Sequence, residues 1–408
     1  MNFLFLLLLT VCPLLAQAES ATPWDLKKLS VAPAFEWVKA DSPVRSLIYA
    51  GESFKGKPSK VFAYYASPAT LSGTAPDPSK KYPGIVLIHG GGGTAFPQWA
   101  ELWAKRGYAA IAMDLSGCRS DQLDEKKKPV PMSDGGPDQG HPAKFETIGT
   151  EDLSDDWPYH AVANSVLAHS LLRSFPEVDV DHTAVTGISW GGYTTCLVAS
   201  IDSRFKAAVP VYGCGFLHEN STWLAEFAKL GPEKTKRWVE LYDPSSHLPK
   251  CRVPIFFVNG TNDFAYWLNS YMKSYAAVTS PPKNIRIQVK MPHGHESGWA
   301  PKEIGWYVDS ILGVNGEKPL PLCGEPQRSG DKVSVTVQSP LPLKSAVLNY
   351  AQPGEAINKR EWVTVPATVE NGVVTAPAPP ADCDLWFFNV TDERGAMVSS
   401  VVKILSKP

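Results

Sequence analysis

The pentapeptide Gly187-Ile188-Ser189-Trp190-Gly191 follows an apolar run, Ala184-Val185-Thr186, and precedes a helix-like stretch. A Gly-x-Ser-x-Gly sequence between a strand and a helix makes a tight turn. That turn lifts the serine hydroxyl to the edge of a sheet, open to a substrate and to a base. The chemistry on offer is nucleophilic attack on an acyl carbonyl. It needs a base to take the serine proton, an acid to orient the base, and N–H donors to face the oxyanion that forms.

Each part has a candidate. Upstream, Leu87-Ile88-His89-Gly90-Gly91-Gly92-Gly93 closes an apolar run. Glycines there let backbone N–H groups come close to a ligand, because no side chain intervenes. The N–H of Gly91 or Gly92, with that of Trp190, is the expected oxyanion hole. His89 reads as a structural residue that hydrogen-bonds the loop. Downstream, Asp263 stands just past Phe256-Phe257-Val258 and is the expected acid. Its competing reading is an Asx-type turn or helix cap before residues 266–277. Met291-Pro292-His293-Gly294-His295 then carries two imidazoles. His295, behind a glycine on this loop, is assigned as the base, with His293 in reserve. No spacing resembles a zinc site, and the chemistry calls for no metal and no organic cofactor.

These residues need a sheet to bring them together. Strand-like runs fall at 44–50, 61–66, 84–89, 108–114, 182–187, 207–212, 253–259 and 285–290. The middle ones are continuously apolar, as strands of a parallel sheet covered on both faces must be. Amphipathic segments at 97–105, 156–174, 190–201, 266–277 and 301–312 alternate with them. The alternation predicts an α/β fold, a doubly wound and mostly parallel sheet. Two insertions break the rhythm, at 117–148 and 215–250. Both leave from expected carboxyl ends of strands, where such sheets place their ligand crevice. They are expected to wall a pocket, although the aromatics Trp223, Phe227, Trp238 and Tyr242 could equally pack the second insertion onto the body. Beyond a linker at 316–321, short alternating runs with Pro, Gly and Asn at the turns predict a small β-sandwich. The domain reading is therefore a hydrolase-like unit over 19–315 and a β-domain over 322–408. The β-domain carries no catalytic constellation.

The order Ser189, Asp263, His295, with the glycine loop upstream, resembles the α/β-hydrolase superfamily over residues 44–313. Within it, residues 89–93, 187–193, 259–263 and 292–295 look most like exported bacterial acetyl xylan esterase-like proteins. They are also similar to the catalytic domain of prolyl oligopeptidases, which share the Gly-x-Ser-x-Gly-Gly-Tyr turn. One departure is that many relatives carry Val-Pro soon after the acid, where this chain has Phe264-Ala265-Tyr266. The resemblance implies a serine carboxylic-ester hydrolase that deacylates carbohydrate such as acetylated xylan through an acyl-enzyme. The alternative is a peptidase of the prolyl oligopeptidase kind. Those enzymes usually carry an N-terminal propeller, and residues 19–43 are too few for one.

Composition bounds the rest. The 408 residues carry a net charge of −2 and no large basic block, so nothing suggests a nucleic-acid partner. Thirteen Trp is a high count that fits either core packing or stacking on sugar rings. Residues 3–15 are almost wholly apolar but too short to span a bilayer comfortably. Ala16-Gln17-Ala18 follows as a small-x-small site, so residues 1–18 are expected to be a cleaved signal peptide, although no Lys or Arg precedes the apolar run. No later stretch is long and apolar enough for a membrane span, and the expected location is secreted or periplasmic. Six cysteines would remain, and Cys323 with Cys383 could form a disulfide.

Overall fold

The computed structural model describes residues 22–149, 152–354 and 356–405. The expected signal peptide and its cleavage site lie outside the described residues.

A nine-stranded mixed sheet forms the centre. Its strands are β1 (Phe35–Lys39), β2 (Arg45–Ala50), β3 (Lys60–Ala66), β4 (Tyr82–Ile88), β5 (Ala109–Met113), β6 (Val178–Ile188), β7 (Ala207–Val211), β8 (Ile255–Gly260) and β9 (Lys283–Gln288). They lie in the order β1-β2-β3-β5-β4-β6-β7-β8-β9. The first three strands and β5 pair antiparallel, and all pairings from β5 through β9 are parallel. All eight strand positions read from the sequence are present. The outer strand β1 is additional; its residues are mostly exposed, so it lacks the apolar run that marks the others. The parallel centre is buried on both faces: Ile85 to Ile88, Ala109 to Met113 and Ile255 to Val258 are all buried. That is why those strands read as solid apolar runs instead of alternating ones.

Helices α1 (Pro97–Lys105), α2 (Trp157–Ser174), α3 (Trp190–Ile201), α4 (Leu224–Tyr242), α5 (Leu268–Ala277) and α6 (Lys302–Leu312) complete the layers. Proline lies in the first turn of α1 and of α2, where its missing N–H costs nothing. Helix α4 belongs to the second insertion and breaks at Gly231-Pro232, where Gly231 has φ +74°. Among the described residues no helix is long and apolar enough to cross a membrane.

The carboxyl-terminal strands pair antiparallel in one continuous curling order that approaches a closed barrel. They are β10 (Lys332–Gln338), β11 (Leu343–Ala351), β12 (Val363–Glu370), β13 (Val373–Pro377), β14 (Leu385–Asp392) and β15 (Met397–Ser399), arranged β10-β13-β12-β11-β14-β15. The alternating burial of β10 and β13 is the period-2 pattern read from the sequence, whereas the central β14 is buried almost throughout. This unit is fastened to the edge of the large sheet. The Ile287 N–H of β9 donates to Ser399 Oγ at 2.7 Å, and the Met397 N–H donates to Glu303 at 2.9 Å. The pairing of Cys323 with Cys383 that the sequence permitted is not made: both are free thiols, as are Cys118, Cys196, Cys214 and Cys251.

Candidate active site

Ser189 sits in the turn between β6 and α3 with φ +60° and ψ −117°. A non-glycine residue pays for such backbone geometry, and the surroundings must hold it there. The neighbouring glycines show how. A Cβ on Gly187 would lie 2.2 Å from the Gly191 carbonyl oxygen, and one on Gly191 would lie 1.9 Å from that of Ile88. A Cβ on Gly192 would lie 2.3 Å from the Val211 oxygen. The Gly-x-Ser-x-Gly-Gly spacing is thus a packing requirement: strands β4 and β7 close on the turn from either side. Ser189 accordingly projects into a cleft of about 590 Å³.

The cleft is walled by Gly91 and Gly92, by Gln139, His141 and Lys144 of the first insertion, by Thr222 and Trp223 of the second, and by Phe264 and the 293–295 loop. Both insertions wall it as expected. The other second-insertion aromatics do not. Trp238 stacks on Phe145 at 5.4 Å and donates to the Lys144 carbonyl at 2.8 Å, while Tyr242 donates to Asp156 at 2.7 Å. For these residues, and for Phe227 at 5.1 Å from Trp238, the packing reading holds.

Asp263 follows β8 and is buried. Its Oδ1 accepts the N–H groups of Ala265 and Tyr266 at 2.9 and 2.8 Å. Its Oδ2 accepts from Nδ1 of His293 at 2.6 Å. Asp263 thus caps the following turn with one oxygen and holds an imidazole with the other. The Tyr212 ring stacks on His293 at 4.3 Å and fastens itself through its hydroxyl to the Pro292 carbonyl at 2.6 Å. Phe264, 59% exposed, lies over the same imidazole at 4.7 Å. With Nδ1 committed to the carboxylate, the lone pair of His293 is on Nε2.

Here the structure corrects the sequence reading, because His295 does not meet Asp263. Its Nε2 accepts the Gly90 N–H at 3.0 Å, and its ring lies 4.7 Å from Phe96. Burial, reinforced by His89 and His293, lowers its pKa to about 4, so it stays neutral over most of the pH range. Side chains two residues apart on this loop point to opposite partners, a choice that spacing alone could not make.

The two alternative amides of the glycine loop, Gly91 and Gly92, stand differently. The Gly92 N–H donates to Gln139 Oε1 at 3.2 Å, so this amide is already engaged. Gly91 packs against the Trp190 ring: a Cβ there would meet Trp190 Cδ1 at 2.7 Å. Trp190 opens α3, where a helix leaves its N–H without an intrahelical partner. His89 holds the loop as read: Nδ1 donates to the Gly90 carbonyl at 2.7 Å, and Nε2 accepts the Leu115 N–H at 2.8 Å.

Ser189, an Asp–His pair and a helix-opening amide at the carboxyl ends of parallel strands identify the architecture. The chain belongs to the α/β-hydrolase superfamily. Within the superfamily, a model of the acetyl xylan esterase family (AXE1) matches residues 30–225, and a model of the prolyl oligopeptidase family matches residues 144–310. The chain is 24% identical over 201 residues to acetyl esterase Axe7A of Xylanibacter ruminicola, an alignment covering 47% of this chain and 44% of the relative. It is 29% identical over 169 residues to "Probable dipeptidyl-peptidase 5" of Aspergillus clavatus, covering 38% of this chain and 19% of the relative. The match thus spans less than half the length of either relative. Among solved α/β-hydrolases, the acetyl xylan esterase from Paenibacillus sp. R4 superposes with a TM-score of 0.54 at 20% identity, over 71% of this chain and 92% of that one. Acetyl xylan esterase 1 from Thermoanaerobacterium sp. JW/SL YS485 gives 0.52 at 16% identity, over 71% and 94%.

The residues that sequence reasoning missed are Gln139, Lys144 and Tyr212. Gln139 and Lys144 sit in a polar insertion without periodicity, so no pattern marks them. Tyr212 had a faint signal, an aromatic at the carboxyl end of a central strand.

Proposed function

We propose that the protein is an exported serine carboxylic-ester hydrolase that removes acyl groups, acetyl foremost, from carbohydrate such as xylan. The observation that carries the chemistry is the 2.6 Å hydrogen bond between Asp263 and His293 in the cleft that Ser189 lines. It orients the imidazole and stabilises the imidazolium formed when the serine gives up its proton. The Ser189 oxygen then bonds to the acyl carbon as its proton passes to His293 Nε2. The carbonyl electrons move onto oxygen, which rests on the Gly91 and Trp190 amides. Collapse breaks the bond to the leaving alcohol, which takes the proton from Nε2. Water repeats the sequence, releasing the carboxylic acid and restoring the serine.

The acetyl xylan esterase relatives and the exposed Phe264 at the cleft mouth support a carbohydrate ester. A pyranose presents a flat C–H face that can lie on such a ring. Export is supported by the apolar run and the Ala16-Gln17-Ala18 site. The peptidase reading has its own support, since the prolyl oligopeptidase match contains Ser189, Asp263 and His293. Assays on p-nitrophenyl acetate, acetylated xylo-oligosaccharides and a proline anilide separate the two. Ester turnover is expected, abolished in Ser189→Ala, together with labelling of Ser189 by a fluorophosphonate. Anilide turnover without ester turnover reverses the reading.

A further inference from the structure

Four consecutive glycines make a supple strip of backbone, yet oxyanion donors act only when held in place beforehand. The structure holds the strip from two sides. On one side His295 accepts the Gly90 N–H at 3.0 Å and lies so near that a Cβ on Gly93 would meet its Nε2 at 2.5 Å. On the other side a single side-chain amide spans the turn. Gln139 Oε1 accepts the Gly92 N–H at 3.2 Å, and Gln139 Nε2 donates to the Gly93 carbonyl at 3.0 Å. We propose that Gln139 is a positioning residue for the oxyanion hole, occupying the backbone groups of Gly92 and Gly93 so that the Gly91 amide alone faces the substrate carbonyl.

Gln139 is itself anchored. Its own carbonyl accepts from the Lys144 ammonium. That group lies over the rings of Trp157 and Trp190 at 4.7 and 4.9 Å, within cation–π range. The Lys144 carbonyl in turn accepts from Trp238 Nε1 at 2.8 Å. The first insertion is thereby pinned into the aromatic cluster of the second, and Gln139 gains the rigidity that a clamp requires. The loop would otherwise have to satisfy the Gly92 amide with water, and a wandering donor contributes little to transition-state binding.

The inference rests on the serine-hydrolase reading, and the experiment keeps the two apart. Gln139→Met removes both hydrogen bonds at nearly constant volume. Gln139→Glu keeps the acceptor for Gly92, loses the donor to Gly93 and brings a negative charge toward the oxyanion. For Gln139→Met, kcat on p-nitrophenyl acetate should fall by about 10–100-fold, with KM within about threefold and an unchanged thermal midpoint. Gln139→Glu should be at least as impaired. Affinity for an aryl trifluoromethyl ketone, whose hemiketal with Ser189 carries the oxyanion, should fall by the same factor as kcat/KM. An active parent enzyme with kcat within twofold in both variants overturns the clamp. So does a fall in kcat that leaves ketone affinity untouched. A parent enzyme inert to esters and to the fluorophosphonate overturns the underlying reading instead.

Discussion

At the scale of single residues, the decisive contact is the one between Asp263 and an imidazole. His293 makes it, and His295 instead receives the Gly90 amide. His293→Ala should therefore lower kcat by about 10⁶-fold, the cost of losing a catalytic histidine. His295→Ala should cost no more than about 10²-fold, because it loosens the glycine loop without removing the base. Rates on p-nitrophenyl acetate check both, and a reversed pair of results would restore His295 as the base. Gly191→Ala belongs to the same scale. Its new methyl would lie 1.9 Å from the Ile88 oxygen, in a turn with no room to yield. A loss of more than about 3 kcal/mol is expected in urea unfolding.

At the scale of elements, the two insertions act together and not as separate flaps. Phe145 of the first stacks on Trp238 of the second, and Lys144 is caught between Trp157 and Trp190. Burial, only partly offset by Asp138, lowers the Lys144 pKa to about 7. An unfolded lysine titrates near 10.4, so between about pH 7 and 10 the unfolded chain binds the extra proton. Stability from this group therefore rises with pH across that window, and the full penalty is felt below it. Lys144→Met should flatten the pH dependence of the thermal midpoint between about pH 7 and 10. An unaltered slope in calorimetry would show that the amine is not desolvated as the geometry implies. The sequence offered no view of this: periodicity reports which face of an element is buried, and this segment has neither a period nor a long element.

At the scale of the whole molecule, the β-domain is tied to the acid turn. Asn262, next to Asp263, donates to the carbonyls of Asn358 and Arg360 at 3.1 and 2.8 Å. Lys290, close to the histidine loop, pairs with Glu361 at 2.6 Å. The carboxyl-terminal unit thus buttresses two loops of the site, although among its described residues none lines the cleft. Asn262→Ala should cost about 1–3 kcal/mol in thermal unfolding, as two carbonyls lose their donor. It should also lower kcat by a few-fold while KM changes little. Unchanged stability and rate would mean that the two units are energetically independent at this contact.

Most of this molecule's plan was already legible in the linear chain. Apolar runs of strand length alternating with amphipathic segments specify a covered parallel sheet, since burial on both faces removes polar alternation. The glycine positions mark where backbones touch, and the serine, the acid and the glycine strip fall at the carboxyl ends of those strands. What the chain alone left open was decided by contacts between segments far apart in sequence. Asp263 selects His293, Gln139 engages Gly92 across 47 positions, and Asn262 reaches the β-domain across 96. Such pairings depend on which way a side chain leaves an irregular loop, and loops have no repeat from which direction can be read.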